Sequence, residues 1–139
     1  AQVLYEIQLQ GVTPIIAHPE RNAGFSSRPA ALKEMISRGI MAQVTSGSIT
    51  GLFGRRVKQT ALSFLKQGLV HLVSSDAHSS SGRAPLLSRA GREIEKHLGR
   101  DNASKLVDQN PRLIIEGEPV EAPCMPNRST WWKLFRKQA

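Results

Sequence analysis

The chain has 139 residues, a net charge of +8, 40% hydrophobic and 22% charged residues, which is enough apolar material for the core of one domain and too little for two. No stretch approaches the roughly 18 consecutive apolar residues that a membrane helix needs, and the opening AQVLYEIQLQ lacks the basic, apolar and small-residue order of a signal peptide. The single cysteine, Cys124, excludes an internal disulfide or a clustered-cysteine metal site, so the cytoplasm is the expected setting.

In chain order, residues 3 to 9 place Val3, Leu4 and Ile7 on one helical face, and Gly11 closes that helix before the β-rich run Pro14 to Ala17. A second helix is expected after Ser27 as N-cap, with Pro29 in its first turn and the stripe Leu32, Met35, Ile36. It ends at Gly39 before a strand over residues 40 to 44. A third helix carries Val57, Ala61, Leu62 and Leu65, closes at Gly68, and precedes a buried strand over residues 69 to 75. Three successive helix-then-strand units predict an α/β fold of parallel strands with helical crossovers. Residues 86 to 98 and 101 to 109 read as helices, and Asn110-Pro111 is expected to break the chain before the short apolar LII.

The charge is unevenly spread. Residues 127 to 139 hold Arg128, Lys133, Arg136 and Lys137 and no acid, so half the excess sits in a tail; elsewhere acids are interleaved with bases, as on solvated helix faces. A surface for nucleic acid is therefore not expected. The tail also interleaves Trp131, Trp132, Leu134 and Phe135 with its cations, a composition suited to peripheral contact with an anionic membrane.

In parallel α/β folds the chemistry gathers at the carboxyl ends of the strands. The first such loop is His18-Pro19-Glu20-Arg21-Asn22, where the following proline favours extended backbone at His18. The third is Ser75-Asp76-Ala77-His78, where extended backbone would aim Asp76 and His78 to one side. An imidazole at one strand end and an Asp-x-His pair at another make His18, Asp76 and His78 candidate ligands of a divalent cation. Arg21, three residues beyond His18, and Arg83, which the small-residue loop SSSGR lets fold back, are candidates for an anion clamp. That combination suits a phosphate ester. The middle loop, residues 43 to 56, is Gly-rich and basic but fails as a nucleotide P-loop, because Arg55-Arg56 stand where Lys then Ser or Thr are needed. Gln43, Thr45 and Ser48 could line the same mouth. A cysteine phosphatase is excluded because Thr130, not Arg, stands six residues after Cys124. His71 has the opposite strand parity to Asp76 and is expected to face a covering helix, and His97 sits near a helix C-terminus.

The order Ile15-Ile16-Ala17-His18-Pro19-Glu20-Arg21, then Ala42-Gln43-Val44-Thr45-Ser46-Gly47-Ser48, then Ser75-Asp76-Ala77-His78 with Gly82-Arg83 resembles the bacterial manganese-dependent protein-tyrosine phosphatases of the polymerase-and-histidinol-phosphatase (PHP) superfamily. The likeness runs from the first helix to about Val120. It implies the C-terminal part of a distorted (β/α)7 barrel over residues 1 to 117, followed by a Pro-containing linker and basic tail over residues 118 to 139. It implies metal ligation by His18, Asp76 and His78, with Mn2+ or another divalent cation as cofactor. Arg21 and Arg83 match the phosphate-binding arginines of catalysis. The implied reaction is hydrolysis of phosphotyrosine on a protein, the expected partner being a bacterial tyrosine kinase of polysaccharide export in capsule regulation.

The family's opening His-x-His motif and its early acidic ligands have no counterpart here, and the first residue is Ala rather than Met, so an N-terminally truncated fragment of weak activity is expected. The alternatives are a small-molecule PHP phosphatase of the histidinol-phosphate kind and a non-catalytic basic module that binds an anionic surface.

Overall fold

The computed structural model describes residues 2–81 and 83–123, so the basic aromatic tail and Cys124 lie outside the described residues. Helix α1 (Gln2–Leu9) leads to strand β1 (Ile15–Ala17), and after a 3-10 turn at Pro19–Arg21 come α2 (Ala23–Ser27) and α3 (Pro29–Ser37). Strand β2 (Met41–Thr45) runs straight into α4 (Ser46–Thr50), which is followed by α5 (Arg55–Lys66) and β3 (Leu72–Ser74). The remainder is helical: α6 (Ser88–Leu98), α7 (Arg100–Ser104), a π-helical turn at Lys105–Gln109 and α8 (Asn110–Glu116).

The three strands form one parallel sheet in the order β1-β2-β3, with Ile16 opposite Ala42 and Val44 opposite Val73. The expected helix-then-strand units are thus present, and two of the turns that join them carry a glycine at positive φ, Gly39 at 83° and Gly68 at 68°, where an L side chain would be strained. The central strand buries Ala42 and Val44 on one face, while Met41 and Gln43 on the other are half-buried. Ala42 and Val44 pack with Leu32, Ile49, Phe64 and Leu65 in one core that continues through Val73 to Ile94 and Leu106.

Two expectations about the helices are corrected. Ser27 does not cap α3. It closes α2, its Oγ donating to the Gly24 carbonyl (3.1 Å), while Asn22 caps α2 by accepting from the Phe25 amide (3.2 Å). Asn110-Pro111 does not break the chain: it opens α8 directly after the π-helical turn at Lys105–Gln109, so the helical path continues through the proline. The buried Asn110 Nδ2 donates to the carbonyls of His71 (2.6 Å) and Glu121 (3.1 Å), anchoring the helix and the segment after it.

The third strand is shorter than its apolar run. The His71 amide donates to the Ala42 carbonyl (2.9 Å), but the returning bond from the Ala42 amide goes to His71 Nδ1 (3.1 Å), so an imidazole replaces a carbonyl in the ladder. His71 therefore bonds the β2 backbone rather than simply facing a helix. Burial lowers its pKa from the ordinary histidine value, since the charged ring would lose its hydration.

Candidate active site

Because the strands are parallel, the loops after β1, β2 and β3 open on one edge of the sheet. At the end of β1 the His18 amide extends the ladder by donating to the Gln43 carbonyl (2.8 Å). The chain then turns sharply: His18 adopts φ 41°, ψ 51°, not the extended conformation its position before Pro19 suggested. Asp76 also has a positive φ, 52°, so the period-two argument for Asp76 and His78 does not describe this loop. These are the two non-glycine residues with positive φ among the described residues. Left-handed backbone at a non-glycine residue costs of order 1 to 3 kcal/mol and persists where surrounding bonds over-determine it.

At His18 those bonds come from its neighbours. The imidazole stays exposed while Pro19 and Glu20 turn inward, Glu20 to only 2% exposure. Glu20 Oε1 accepts from the Thr45 amide (3.1 Å) at the end of β2 and from Ser48 Oγ (2.5 Å) in α4. One carboxylate thus fastens the first loop to the second, and it leaves Arg21 at the rim. Glu20 Oε2, Gln43 Nε2 and Thr45 Oγ1 are buried here without a protein partner.

The third loop is folded back on itself. The His78 amide donates to the Arg83 carbonyl (3.0 Å), and the Arg83 amide donates to Ser79 Oγ (3.0 Å). Arg83 is thereby returned to Asp76, its Nη2 lying 2.5 Å from Oδ2, and Arg21 Nη1 approaches the same oxygen at 3.7 Å. Both guanidinium groups stand over the ring of Phe53, Arg21 at 4.5 Å and Arg83 at 5.9 Å from its centroid. Phe53 in turn rests on Gly47, where a Cβ would lie 2.9 Å from the ring, so a side chain at that position would displace it. The result is two cations sharing one carboxylate on an aromatic floor. Beside them opens a cavity of about 370 Å³, lined by Thr45, Ser46, Gly47, Leu52, Phe53 and Arg83 among others.

Arg21, Asp76 and Arg83 are therefore brought together. His78 touches the group through Nδ1, which is 2.7 Å from the Asp76 carbonyl oxygen and 3.9 Å from its Oδ1. His18 lies on the same edge without a side-chain bond to either. Among the described residues no three His, Cys, Asp or Glu side chains converge closely enough to hold a metal ion. Of the polar residues expected in the middle loop, Thr45 lines the cavity, while Ser48 is buried and spent on Glu20. Sequence reasoning overlooked Glu20 and Phe53 as parts of the site. Phe53 carried a usable signal, a large aromatic between glycines in a strand-end loop; Glu20 carried none.

The family model for capsular polysaccharide synthesis proteins, CpsB/CapC, matches residues 1–116. The chain is 34% identical over 119 residues to the tyrosine-protein phosphatase YwqE of Bacillus subtilis, covering 86% of this chain and 46% of that protein. It is 39% identical over 133 residues to the putative tyrosine-protein phosphatase CapC of Staphylococcus aureus, covering 94% of this chain and 52% of that protein. Its fold matches, with a TM-score of 0.78 and 32% identity over 91% of this chain and 52% of the other, a crystal structure from work on YwqE and on CpsB of Streptococcus pneumoniae, which are described as unique metal-dependent tyrosine phosphatases. The chain spans about half the length of the curated relatives it matches. With its fold and the match over residues 1–116 in agreement, the chain belongs to the CpsB/CapC family of capsular polysaccharide synthesis.

Proposed function

We propose that this chain carries the phosphate-binding side of the active site of a metal-dependent protein-tyrosine phosphatase acting in capsule synthesis. The convergence of Arg21 and Arg83 on one oxygen of Asp76, over Phe53, carries the reading. Two guanidinium forks offer more positive charge than Asp76 neutralises, and their planar donors match the oxygens of a phosphate monoester. Phe53 limits where the guanidinium planes can lie, so the clamp is partly ordered before an anion arrives. The cavity beside it, walled by Leu52 and Phe53, accepts an aromatic ester better than a small polar one, which favours phosphotyrosine over the phosphate of an amino alcohol or sugar. A phenolate of pKa about 10 departs with little help from a general acid, consistent with a clamp built of arginines.

His18, Asp76 and His78 are the proposed holders of the cation, although their side chains do not converge closely enough in this structure to hold it unaided; manganese is the proposed occupant. Two imidazoles and a carboxylate beyond the ends of the two outer strands of the parallel sheet are the donor types such an ion takes. When bound, the cation supplies the charge that acidifies water and attracts phosphate oxygens. Three donors do not complete a coordination sphere, so the 139-residue chain alone is expected to turn over slowly.

The three strands are read as part of a distorted (β/α)7 barrel covering residues 1–117, and a tyrosine kinase of polysaccharide export as the phosphorylated partner. No helix among the described residues is long and apolar enough to cross a membrane.

The test is Mn2+ binding followed by electron paramagnetic resonance, together with hydrolysis of a phosphotyrosine peptide. The chain should remove free Mn2+, and His18→Ala, Asp76→Ala and His78→Ala should each weaken that uptake. Arg21→Ala and Arg83→Ala should spare uptake and lower affinity for inorganic phosphate. Uptake unchanged by all three ligand substitutions would refute the metal assignment.

A further inference from the structure

Helix α6 is two-faced. Ala90, Ile94 and Leu98 are buried, whereas Arg89, Arg92, Glu93 and Lys96, at helical spacing, line one side of a shallow groove of about 240 Å³ whose other wall is Thr50 of α4 and Lys58 of α5. Lys58 Nζ donates to Glu93 Oε1 (2.8 Å) and Lys96 Nζ to Oε2 (3.3 Å), so the one carboxylate is engaged by two lysines. Arg89 and Arg92 are exposed and form no ion pair among the described residues. The groove is continuous with the candidate site, since Thr50 and Arg89 line both it and the cavity that holds Arg83 and Phe53.

We propose that this groove docks an acidic segment of the substrate protein next to its phosphotyrosine, so that the chain selects Asp- and Glu-flanked sites. The inference rests on the phosphatase reading and deepens it by naming the substrate class. Four cations against one carboxylate attract a polyanion, and the concave shape selects an extended chain over the flat face of a bilayer. Arg89 and Lys96 are seven positions apart on α6, about 10 Å along the axis at 1.5 Å per residue. Roughly three residues of extended peptide, at about 3.3 Å each, span that distance.

Fluorescence anisotropy on the full 139-residue chain tests this with three labelled peptides. One has phosphotyrosine flanked by Asp and Glu, one phosphotyrosine flanked by Asn and Gln, and one Phe in place of phosphotyrosine with the acidic flanks. Acidic flanks should tighten binding roughly three- to tenfold, the scale of a few exposed charge pairs, and raised salt should erase the gain. The double variant Arg92→Gln/Lys96→Gln should lose that gain while binding the neutral-flank phosphopeptide within about twofold of the parent; both side chains are exposed and line only the groove, and an unchanged urea midpoint checks the fold. Equal affinity of the parent for acidic and neutral flanks would overturn the proposal. So would inorganic polyphosphate binding through Arg92 and Lys96 as tightly as the acidic peptide. If the Phe peptide binds through Arg92 and Lys96 while phosphate adds no affinity, the groove stands and the phosphatase reading falls.

Discussion

Glu20→Ala removes the acceptor of two buried hydrogen bonds, from the Thr45 amide and from Ser48 Oγ. Hydrogen bonds to a charged group contribute about 1.5 to 3 kcal/mol each, and a buried donor left without a partner costs about 1 to 3 kcal/mol. A side chain only 2% exposed also leaves a void that its neighbours fill incompletely. Ser48 can rotate its hydroxyl towards another acceptor, whereas the Thr45 amide is fixed by the end of β2. The expected loss is therefore roughly 3 to 5 kcal/mol, a large part of the 5 to 15 kcal/mol typical of a domain. Glu20→Gln keeps a carbonyl oxygen for both donors and places an amide where Oε2 already lacks a partner. Its cost should be about 1 to 2 kcal/mol. Urea unfolding followed by circular dichroism gives both values from the midpoints, provided the slope is unchanged. A loss under about 1 kcal/mol for Glu20→Ala, or equal losses for the two variants, would refute the claim that this acceptor joins the first two loops.

Two further outcomes follow from the same geometry. Phe53→Leu removes the ring beneath Arg21 and Arg83. At about 0.5 to 1 kcal/mol for each of the two cation–π contacts, affinity for inorganic phosphate in calorimetry should drop by up to roughly five- to thirtyfold; unchanged affinity would sink the ordering role of the ring. His71 has a folded pKa lowered by burial, so the unfolded chain takes up its proton first as pH falls. Its contribution is constant above about pH 6.5. Below that, stability should decline by up to about 1.4 kcal/mol per pH unit until the lower folded pKa is reached. His71→Asn, compared with the parent across that window, should flatten the dependence, and an identical slope in both proteins would contradict it.

What the sequence by itself determined was local and periodic. The helix-then-strand units, closed by Gly39 and Gly68, put His18, Thr45 and Asp76 at matching strand ends, and parallel pairing then placed their loops on one edge. The short small-residue loop before Arg83 was enough to foresee that this side chain folds back, but not that it pairs with Asp76, seven positions earlier. Contacts between loops were another matter. Glu20 meets Thr45 and Ser48 across 25 and 28 positions, and no periodicity marks a carboxylate that burial alone selects. His71 takes a place in the ladder with Ala42, 29 positions away, which shortens a strand that hydrophobicity had extended. The left-handed turns at His18 and Asp76 oppose the local preference of the residues and exist because the packed loops hold them. Tertiary structure decided these features, since a buried polar group takes its partner from whatever the fold brings near it, and the cost of leaving it unpaired exceeds any single residue's conformational preference.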